Sequence, residues 1–572
     1  MDNLLLQIKN LSISFSTNGI HIPVVEAVNV SIAAGQMLAI VGESGSGKSV
    51  TALSLLQLLP GTAQIKGQLI FAPTANESMD IATLSAPQIA AIRGNKIAMI
   101  FQEPMTALNP VLTCGTQVAE VLQLHIGLKK SEAKKRAIAL FEKVQLPQPE
   151  KIYYRYPHQL SGGQKQRVMI AMAISCNPVL LIADEPTTAL DVTVQHDIMQ
   201  LLYHLQTTLN MGVLIITHDF GVVADYANQV AVMYKGKIVE YGPTNTVLHH
   251  AQHPYTKALL ACRPSGYAAG TLLPMISNFL PEINTIVPQQ KIAVLPKKAI
   301  ALPITSNVPA LVVENLHVHY AAKNNWFAQK VAPFKAVDDI SFTVPTGKTI
   351  GLVGESGCGK TTVGRAILQL IQPTAGNIII NGKNISLLSK QQLRHLRSSM
   401  QIVFQDPYGS LNPRLTIGNA LQEPLQVHSI LNKQQQKDTV IQWLQKVHLK
   451  PEHFNRYPHQ FSGGQRQRIC IARALILQPS FVIFDESVSA LDVSVQAQIL
   501  NLLNDLKKEL NFSSIFISHD LGVVKYISDE ILVMQKGKIV EHGLAAQVYH
   551  HPQHTYTQQL IAAIPGKKLL SQ

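Results

Sequence analysis

Short apolar runs that end at a glycine-rich turn occur in both halves of this chain and predict its main elements. Met37–Val41 predicts a buried strand, and the glycine-rich turn after it leads into a helical pattern of leucines that extends to Leu59. Lys348–Val353 and a helical pattern extending to Leu370 repeat this arrangement. Strands that are apolar throughout, rather than alternating, are typical of a sheet covered on both faces.

Two further apolar runs in each half end at acidic or histidine residues. Val179–Ala183 and Phe481–Phe484 each lead directly into an Asp-Glu pair, whereas Val213–Thr217 and Ile515–Ser518 each lead to a histidine. Runs of this kind, alternating with helical segments, predict an α/β fold with a mainly parallel sheet. Ligands of such sheets bind at the carboxyl ends of the strands, which is where these polar residues fall.

The same series of motifs occurs twice at matched spacing. Asp184 lies 23 residues after Ser161, and Asp485 lies 23 residues after Ser462. A histidine follows each of these aspartates after 34 residues. A repeat on this scale predicts two similar domains, each large enough to have its own core.

The repeat places a first domain at residues 1–264 and a second at residues 309–572. Between them, the stretch 264–308 holds six prolines and only four charged residues, without a lasting helical or strand period. This composition predicts an extended, Pro-rich apolar linker, which we place at residues 265–308.

Composition narrows the classes of protein that remain. The 572 residues carry a formal net charge of +13, which favours anionic partners, namely a nucleotide, an anionic membrane face or nucleic acid; a solvated basic surface is the alternative. Five scattered cysteines without a CxxC pair argue against a disulfide framework or a cysteine-only metal site. No stretch of about 18 apolar residues is present, so we expect any membrane spans to belong to other chains.

The glycine-rich turns have the pattern of a phosphate-binding loop. Glycines let backbone N–H groups point at phosphate oxygens, and the N-terminus of the following helix adds positive potential. The lysine then reaches the outer phosphates, and the hydroxyl residue after it ligates Mg²⁺. The predicted ATP phosphate-binding residues are Gly42, Glu43, Ser44, Gly45, Ser46, Gly47, Lys48 and Ser49, and Gly354, Glu355, Ser356, Gly357, Cys358, Gly359, Lys360 and Thr361.

The acidic pairs at the strand ends predict a metal ligand and a catalytic group. Side chains alternate between the two faces of a strand, so two adjacent acids point in different directions and cannot have the same role at the site. We predict that Asp184 and Asp485 hold Mg²⁺, that the glutamates polarise the attacking water, and that the histidines contact the γ-phosphate. The predicted catalytic residues are Glu185, His218, Glu486 and His519.

A Ser-Gly-Gly-Gln motif precedes a helical pattern in each half. A plain helix cap needs only the serine, whereas the glycines leave backbone N–H donors uncovered. The motif therefore predicts an anion site without an obvious anion in its own domain. Its residues are Ser161, Gly162, Gly163 and Gln164, and Ser462, Gly463, Gly464 and Gln465.

Together these motifs resemble those of the ATP-binding cassette (ABC) ATPases over nearly the whole chain. The resemblance implies two tandem ABC-type P-loop nucleotide-binding domains, each with a mainly parallel sheet core, an antiparallel β part and a helical subdomain. It also implies that the two lobes pair, so that ATP bound to one phosphate loop meets the Ser-Gly-Gly-Gln signature of the other lobe in trans. The Mg²⁺ set it implies is Ser49, Gln102 and Asp184, and Thr361, Gln405 and Asp485.

The resemblance also points to aromatic residues for adenine. Phe15 and Tyr320 stand where the family stacks an aromatic ring on the base, although an aromatic residue on a strand is more often part of the core.

Three segments resemble the dipeptide, oligopeptide and nickel importer group of this family. They are Phe101–Pro110, Phe404–Pro413 and His253–Thr256, and the two lobes resemble the two ATPase paralogues of the group fused in one chain, as in the ATPases of peptide and microcin C importers. The resemblance implies an energy-coupling ATPase at the cytoplasmic face of the inner membrane, bound peripherally. Closure of its lobes on ATP and Mg²⁺ would drive the membrane subunits.

The same resemblance implies protein partners in and outside the membrane, and it argues against nucleic acid and an iron–sulfur cluster. Two separate transmembrane permease subunits would dock beside Gln102 and Gln405, and an extracytoplasmic substrate-binding protein would select the peptide; no nucleic acid is expected. Only Cys262 lies where some members carry a clustered-cysteine motif, so we expect no iron–sulfur cluster.

Other functions remain open on the sequence. The alternative is a soluble twin-cassette ATPase acting on ribosomes or DNA, although the joint lacks the charged helical arm of the ribosomal kind and the chain lacks the cysteine zinc modules of repair ATPases. Export is a third possibility, but exporters usually fuse their spans to the ATPase. A His-His-x-x-His pattern at His249 and His550 fits a metal site or a repeated surface turn.

Overall fold

The computed structural model describes residues 4–17, 19–74, 76–188, 190–280, 308–320, 333–489 and 491–566. These residues form two compact units: one runs to Leu260 and includes the stretch from Ile564, and the other runs from Ala261 to Ala563. Most of the predicted linker lies outside the described residues, and the proposed domain limits stay predictions.

The first unit contains two sheets. A four-stranded antiparallel sheet has the order β2-β1-β4-β5, and a six-stranded sheet has the order β10-β9-β3-β8-β7-β6. Within the larger sheet all neighbours are parallel except β9 and β10. The strands are β1 Leu4–Thr17, β2 Ile20–Ala33, β3 Met37–Val41, β4 Ala63–Thr74, β5 Glu77–Asp80, β6 Ile97–Ile100, β7 Leu180–Asp184, β8 Gly212–Thr217, β9 Gln229–Tyr234 and β10 Lys237–Pro243.

Helices of the first unit follow the strands and include a group inserted between β6 and β7. They are α1 Lys48–Ser54, α2 Ala86–Ile92, α3 Pro104–Ala107, α4 Cys114–Ile126, α5 Lys130–Lys143, α6 Pro149–Tyr153, α7 Gly162–Ala173, α8 Val192–Leu209, α9 Phe220–Tyr226, α10 Thr244–His249 and α11 Pro254–Ala261. The inserted helices α3 to α7 form the helical part that the family resemblance implies.

The second unit repeats the two sheets. Their orders are β12-β11-β14-β15 and β16-β17-β18-β13-β19-β20, and again only the last pair of the larger sheet is antiparallel. The strands are β11 Leu311–Tyr320, β12 Phe334–Val344, β13 Thr349–Val353, β14 Ala375–Ile380, β15 Lys383–Asn384, β16 Met400–Val403, β17 Phe481–Asp485, β18 Ser513–Ile517, β19 Glu530–Gln535 and β20 Lys538–Leu544. The predicted α/β fold is confirmed.

Helices of the second unit begin with a short one that ends just before residue 281, where the described residues break off. They are α12 Ile276–Phe279, α13 Lys360–Ile367, α14 Lys390–Leu396, α15 Pro407–Ser410, α16 Ile417–His428, α17 Lys433–Lys446, α18 Gly463–Leu475, α19 Val493–Leu510, α20 Leu521–Ile527, α21 Ala545–His550 and α22 Thr555–Ala562. Among the residues that the structure describes, no helix has the length and apolar character needed to cross a bilayer.

The central strands are buried from end to end. Every residue of β3, β7 and β8, and of β13, β17 and β18, is buried, which is why these runs show no alternation of apolar and polar residues. Because β3, β8 and β7 are neighbours and parallel, the residues that follow them meet at one edge of the sheet.

Candidate functional site

The phosphate loop of the first unit lies between β3 and α1. Gly47 caps the helix with φ 104°, a left-handed conformation that a side chain would strain, and a Cβ at Gly42 would lie 2.2 Å from the Met233 carbonyl oxygen. The Lys48 ammonium is buried and donates to the Gly42 and Glu43 carbonyl oxygens at 2.7 and 2.8 Å. The glycines thus give the loop its shape, and the lysine lies inside it.

The second unit builds the same loop. Lys360 donates to the Gly354 and Glu355 carbonyl oxygens at 2.7 and 2.9 Å, and Gly359 caps α13 with φ 112°. Cys358 replaces Ser46 at the matching position and is 8% exposed. Burial raises the pKa of the Cys358 thiol.

The hydroxyl residue after each lysine contacts the predicted metal-binding aspartate. Ser49 donates to Asp184 at 3.1 Å, and Thr361 donates to Asp485 at 3.0 Å. Burial, together with the adjacent glutamate, raises the pKa of both aspartates. A half-buried hydroxyl beside a buried carboxylate supplies hard oxygen ligands that fit Mg²⁺, whose charge would offset the burial of the carboxylate.

The glutamate next to Asp184 is held by three side chains. Gln102 donates to its carboxylate at 3.0 Å, Thr188 donates at 2.7 Å, and the His218 Nδ1 lies 3.6 Å from Glu185 Oε1. The glutamine side chain therefore lies at the predicted catalytic acid in this structure. The contacts with Gln102 and His218 bring together residues that lie far apart in the sequence, whereas Thr188 is a neighbour of Glu185.

Electrostatics keep this carboxylate ionised. Burial alone would raise the pKa of Glu185, but the neighbouring His218 imidazole, the Thr188 hydroxyl and the charge of Lys48 lower it to about 2. The residue also has φ 46°, in the left-handed region that side chains rarely adopt. Its backbone N–H donates to the Ile216 carbonyl oxygen at 2.9 Å, which ties the strained residue to β8.

The second unit differs at one contact. Gln405 donates to Glu486 at 2.7 Å and the His519 Nδ1 lies 3.7 Å from the same carboxylate, as in the first unit. Ser489, which matches Thr188, donates instead to the Glu486 carbonyl oxygen at 2.9 Å. The pKa of Glu486 is lowered against the effect of burial by His519 and Lys360, without help from this hydroxyl.

The signature serines cap their helices. Ser161 accepts from the Gln164 N–H at 3.3 Å while the Gln164 side chain accepts from the Ser161 N–H at 3.2 Å, a reciprocal capping box. Ser462 and Gln465 repeat it at 3.4 and 3.1 Å. The serine and glutamine thus have a structural role within their own helix, which accounts for two of the four motif residues.

The two glycines of each signature have different surroundings. A Cβ at Gly163 would lie 2.6 Å from Val194 Cγ1, and a Cβ at Gly464 would lie 2.4 Å from Val495 Cγ1, so the second glycine is required for packing. A Cβ at Gly463 would meet nothing within 4 Å. A Cβ at Gly162 would lie 3.4 Å from Leu190 Cδ2, which is an ordinary contact. Packing therefore does not require glycine at the first position, and its absent side chain leaves the helix N-terminus uncovered, with room for an anion.

Two tyrosines contact the phosphate loops and were not predicted. Tyr255 is fully buried, and its hydroxyl accepts the Glu43 backbone N–H at 3.1 Å; Tyr556 accepts the Glu355 N–H at 3.0 Å. Each belongs to the His-x-Tyr-Thr segment near the end of its lobe. The repetition of this segment in the sequence indicates that it has a role in both lobes. Its contact with the phosphate loop could not be predicted, because the two are more than 200 residues apart along the chain.

One histidine of each His-His-x-x-His repeat accepts a backbone N–H group at the start of the helix that follows it. His253 Nδ1 accepts the Tyr255 N–H at 3.2 Å, and His554 Nδ1 accepts the Tyr556 N–H at 3.1 Å. Glu240 accepts the N–H groups of Gln252 and His253. These contacts fit the repeated surface turn better than a metal site.

The predicted adenine-stacking residues differ in exposure. Phe15 is half-buried and packs against the core of the first unit, whereas Tyr320 ends β11 and is 42% exposed. Their assignment to adenine stays a prediction.

The fold and the repeated constellation define a class of protein. Each unit places a glycine-rich loop with a buried lysine, a hydroxyl–aspartate pair, and an ionised glutamate beside a histidine at one edge of a parallel sheet. These are the parts of a P-loop nucleoside triphosphatase with two sites.

Comparison with known proteins identifies the family. The family profile described as "ABC transporter" matches residues 25–188 and 337–489, and "Oligopeptide/dipeptide transporter, C-terminal region" matches residues 239–287 and 540–568. Relatives named "Glutathione import ATP-binding protein GsiA" from Shigella sonnei (strain Ss046) and Escherichia coli (strain K12) are 47% identical over 564 residues, covering 98% of this chain and 89% of each relative. The relative of that name from Salmonella typhimurium is 46% identical over 562 residues, with the same coverage.

The chain belongs to the ABC transporter family. It is an ATPase with two cassettes and an energy-coupling subunit of the peptide-importer type. The predicted family, importer group and tandem arrangement are confirmed.

Proposed function

We propose that this subunit hydrolyses MgATP at two sites to drive the uptake of glutathione or a similarly small peptide through separate permease subunits. The observation that carries the proposal is the ionised glutamate held by a glutamine and a histidine beside the phosphate loop, present in both units. The relatives named for glutathione import support the small-peptide substrate class.

Each residue set has a role in the proposed reaction. Lys48 and Lys360 exchange loop carbonyls for phosphate oxygens when ATP enters, and Ser49 with Asp184, and Thr361 with Asp485, hold the metal. Mg²⁺ neutralises developing charge on the transferred phosphoryl group when it is bound. Glu185 and Glu486 orient the attacking water, and their low pKa keeps them as hydrogen-bond acceptors at neutral pH.

The histidines hold the carboxylates and face the γ-phosphate in this proposal. His218 lies 3.6 Å and His519 lies 3.7 Å from the glutamate of its own unit, which is close enough for each imidazole to orient both partners. Gln102 and Gln405 link the acid to the helical part of each unit. A change in the glutamine can therefore report hydrolysis to a protein docked beside that part.

We propose that the signature of one lobe completes the nucleotide site of the other. The uncovered N-terminus of α7 would meet ATP on the second loop, and that of α18 would meet ATP on the first, as family resemblance implies. Binding of ATP then closes the lobes and hydrolysis opens them, because the closed state alone gains these contacts.

A groove beside Gln405 supports docking of a membrane partner. In the second unit a cavity of about 320 Å³ is lined by residues of β16, α16 and α18, among them Glu423, His428 and Arg473, and by Phe404 directly after β16. Arg473 donates to Glu423 at 3.0 Å and to the Ser410 carbonyl oxygen at 2.8 Å across it. We propose that a short permease helix binds here and that the subunit is peripheral at the cytoplasmic face of the membrane.

The decisive experiment removes both acids. Glu185→Gln with Glu486→Gln keeps the shape of each site but replaces the carboxylate that accepts from water, so ATP still binds while hydrolysis falls by about 100-fold or more. Steady-state phosphate release and equilibrium binding of a fluorescent ATP analogue measure the two quantities. Glu142→Gln, on the exposed face of α5, is the matched control and leaves both unchanged.

The outcomes separate the parts of the proposal. Near-normal hydrolysis by the double variant would exclude the assigned acids. Loss of ATP binding together with hydrolysis would assign them to binding instead. Uptake of labelled glutathione by cells carrying the wild-type chain, and its loss in the double variant, tests the substrate class. If the wild-type chain gives no uptake above that of cells without it, that class is ruled out.

A further inference from the structure

A segment that follows the last helix of the first lobe is docked on the second unit. Residues 261–280, called here the docked segment, contain a 3-10 turn at Pro264–Gly266 and the short helix α12. Leu273 within it is 1% exposed and Ile276 is 6% exposed. The Cys262 thiol donates to the Pro274 carbonyl oxygen at 3.1 Å, which folds the segment back on itself.

An asparagine on α19 holds the middle of the docked segment. The Asn501 side chain accepts the Leu273 N–H at 2.9 Å and donates to the Leu273 carbonyl oxygen at 2.9 Å, so one amide satisfies both backbone groups of a buried residue. Asn501 is itself 6% exposed. A paired contact of this kind fixes both position and orientation of the segment.

Helix α20 holds the beginning of the docked segment. The Tyr526 hydroxyl donates to the Thr271 carbonyl oxygen, and Lys525 donates to the Ser265 carbonyl oxygen at 3.2 Å. A Cβ at Gly522 would lie 3.0 Å from Ser265 Cβ, so the two backbones approach closely at the first turn of the helix.

This helix begins directly after His519. Asp520 caps it by accepting the Gly522 and Val523 N–H groups at 2.8 and 3.2 Å, and the Ser518 hydroxyl accepts the Asp520 N–H at 3.0 Å. His519 therefore lies between the end of β18 and a helix whose first turn rests on the docked segment. A shift of the first turn of α20 would therefore also move His519.

We propose that the docked segment positions His519 for hydrolysis, with Asn501 and Tyr526 as the positioning residues that hold it. The inference rests on the proposed function, because it assumes that His519 acts on the γ-phosphate. It adds that the segment after the first lobe is a working part of the second nucleotide site.

The first unit has a related contact at the matching place. Asp225 lies seven residues after His218, as Tyr526 lies seven after His519, and the Asp225 carboxylate accepts the Gly566 N–H at 2.8 Å. Both helices that follow a predicted catalytic histidine are thus held at the same position by a segment that follows the last helix of a lobe. This recurrence favours a role connected with the histidine over an accident of packing.

The test is a double-mutant cycle between the segment and the histidine. Asn501→Ala removes both contacts to Leu273, and Tyr526→Phe keeps the buried ring while it removes the hydroxyl contacts to Thr271, Asn501 and Asn504. Each is expected to lower the rate of phosphate release about five- to tenfold in single-turnover assays and to leave the ATP dissociation constant unchanged. With His519→Ala already present, neither variant lowers the residual rate further.

Gln200→Ala is the matched control. Gln200 lies 16 residues after Asp184, as Asn501 lies 16 after Asp485, but it is exposed and contacts His196 at 2.9 Å. It is expected to leave the rate unchanged.

Three results would overturn the inference. The first is an unchanged rate in both variants, and the second is an equal fractional loss with and without His519. The third is a fall in the rate that matches a fall in ATP affinity and in melting temperature, which would indicate a structural role alone. Failure of this inference can be told apart from failure of the proposed function. The Glu185→Gln, Glu486→Gln variant tests the catalytic acids, whereas Asn501→Ala and Tyr526→Phe test the docked segment.

Discussion

Removing one hydroxyl from Tyr255 and from Tyr556 tests whether the end of each lobe shapes its phosphate loop. Phenylalanine keeps the buried ring and leaves the Glu43 and Glu355 N–H groups without their acceptors. A buried donor left unsatisfied costs about 1–3 kcal/mol, and the lower end applies because these amides are only half-buried. If about 1–1.4 kcal/mol is lost from the ordered loop, ATP affinity falls about five- to tenfold at each altered site.

Equilibrium titration with a fluorescent ATP analogue measures this change directly. The rate at saturating ATP is expected to change little, because the carboxylate and histidine are untouched. Tyr241→Phe is the matched control, since its hydroxyl contacts Gln229 on the neighbouring strand and not the loop. An unchanged dissociation constant in the Tyr255→Phe, Tyr556→Phe variant would show that these tyrosines serve only the core.

Three further predictions concern single side chains. Glu185 has a folded pKa of about 2, below its ordinary value of 4.5, so its ionisation stabilises the fold above about pH 4.5 and this stabilisation is lost as pH falls toward about 2. Thr188→Ala should therefore lower the melting temperature more at pH 7 than near pH 2, where the carboxylate becomes protonated in the fold as well. Ser489→Ala is the control, and an equal loss at both pH values contradicts this. Alkylation of Cys358 should be slow at neutral pH because its thiol pKa is raised, should be prevented by ATP and should slow hydrolysis; mass spectrometry with an activity assay checks this, and full activity after alkylation refutes it. Gly163→Ala should destabilise the fold by about 1–3 kcal/mol in thermal or chemical unfolding because its Cβ meets Val194, and a normal stability would contradict that contact.

The strands and the turns that carry the site could be predicted, because a strand that is buried on both faces is a short run of apolar residues in the sequence. Met37–Val41 matches β3 at both ends. The ends of the helices were predicted less well from the spacing of apolar residues. The leucine period predicts a helix to Leu59, but α1 ends at Ser54, because Gln57 turns left-handed with φ 48° and its amide donates to the Ile81 and Leu84 carbonyl oxygens.

Contacts between distant segments could not be predicted from local pattern. The sequence places Gln102 near the metal, yet its amide donates to Glu185, and nothing in the spacing distinguishes these two neighbours. Likewise, the hydroxyl of Tyr255 reaches Glu43 across 212 residues, and Asn501 reaches Leu273 across 228. Such pairs depend on how helices pack, which hydrophobic periodicity does not encode.

The left-handed backbone at both glutamates has a consequence for attempts to improve this protein. Glu185 and Glu486 have φ values of 46° and 47°, and such a conformation costs on the order of 1 kcal/mol or more for a residue with a side chain. Glycine at either place would release that strain, but it would also remove the carboxylate contacts that stabilise the fold at neutral pH. The backbone strain and the side-chain contacts thus act on stability in opposite directions, so a melting temperature alone does not report whether ATP hydrolysis is retained. A screen for heat-resistant variants therefore needs uptake as a second criterion.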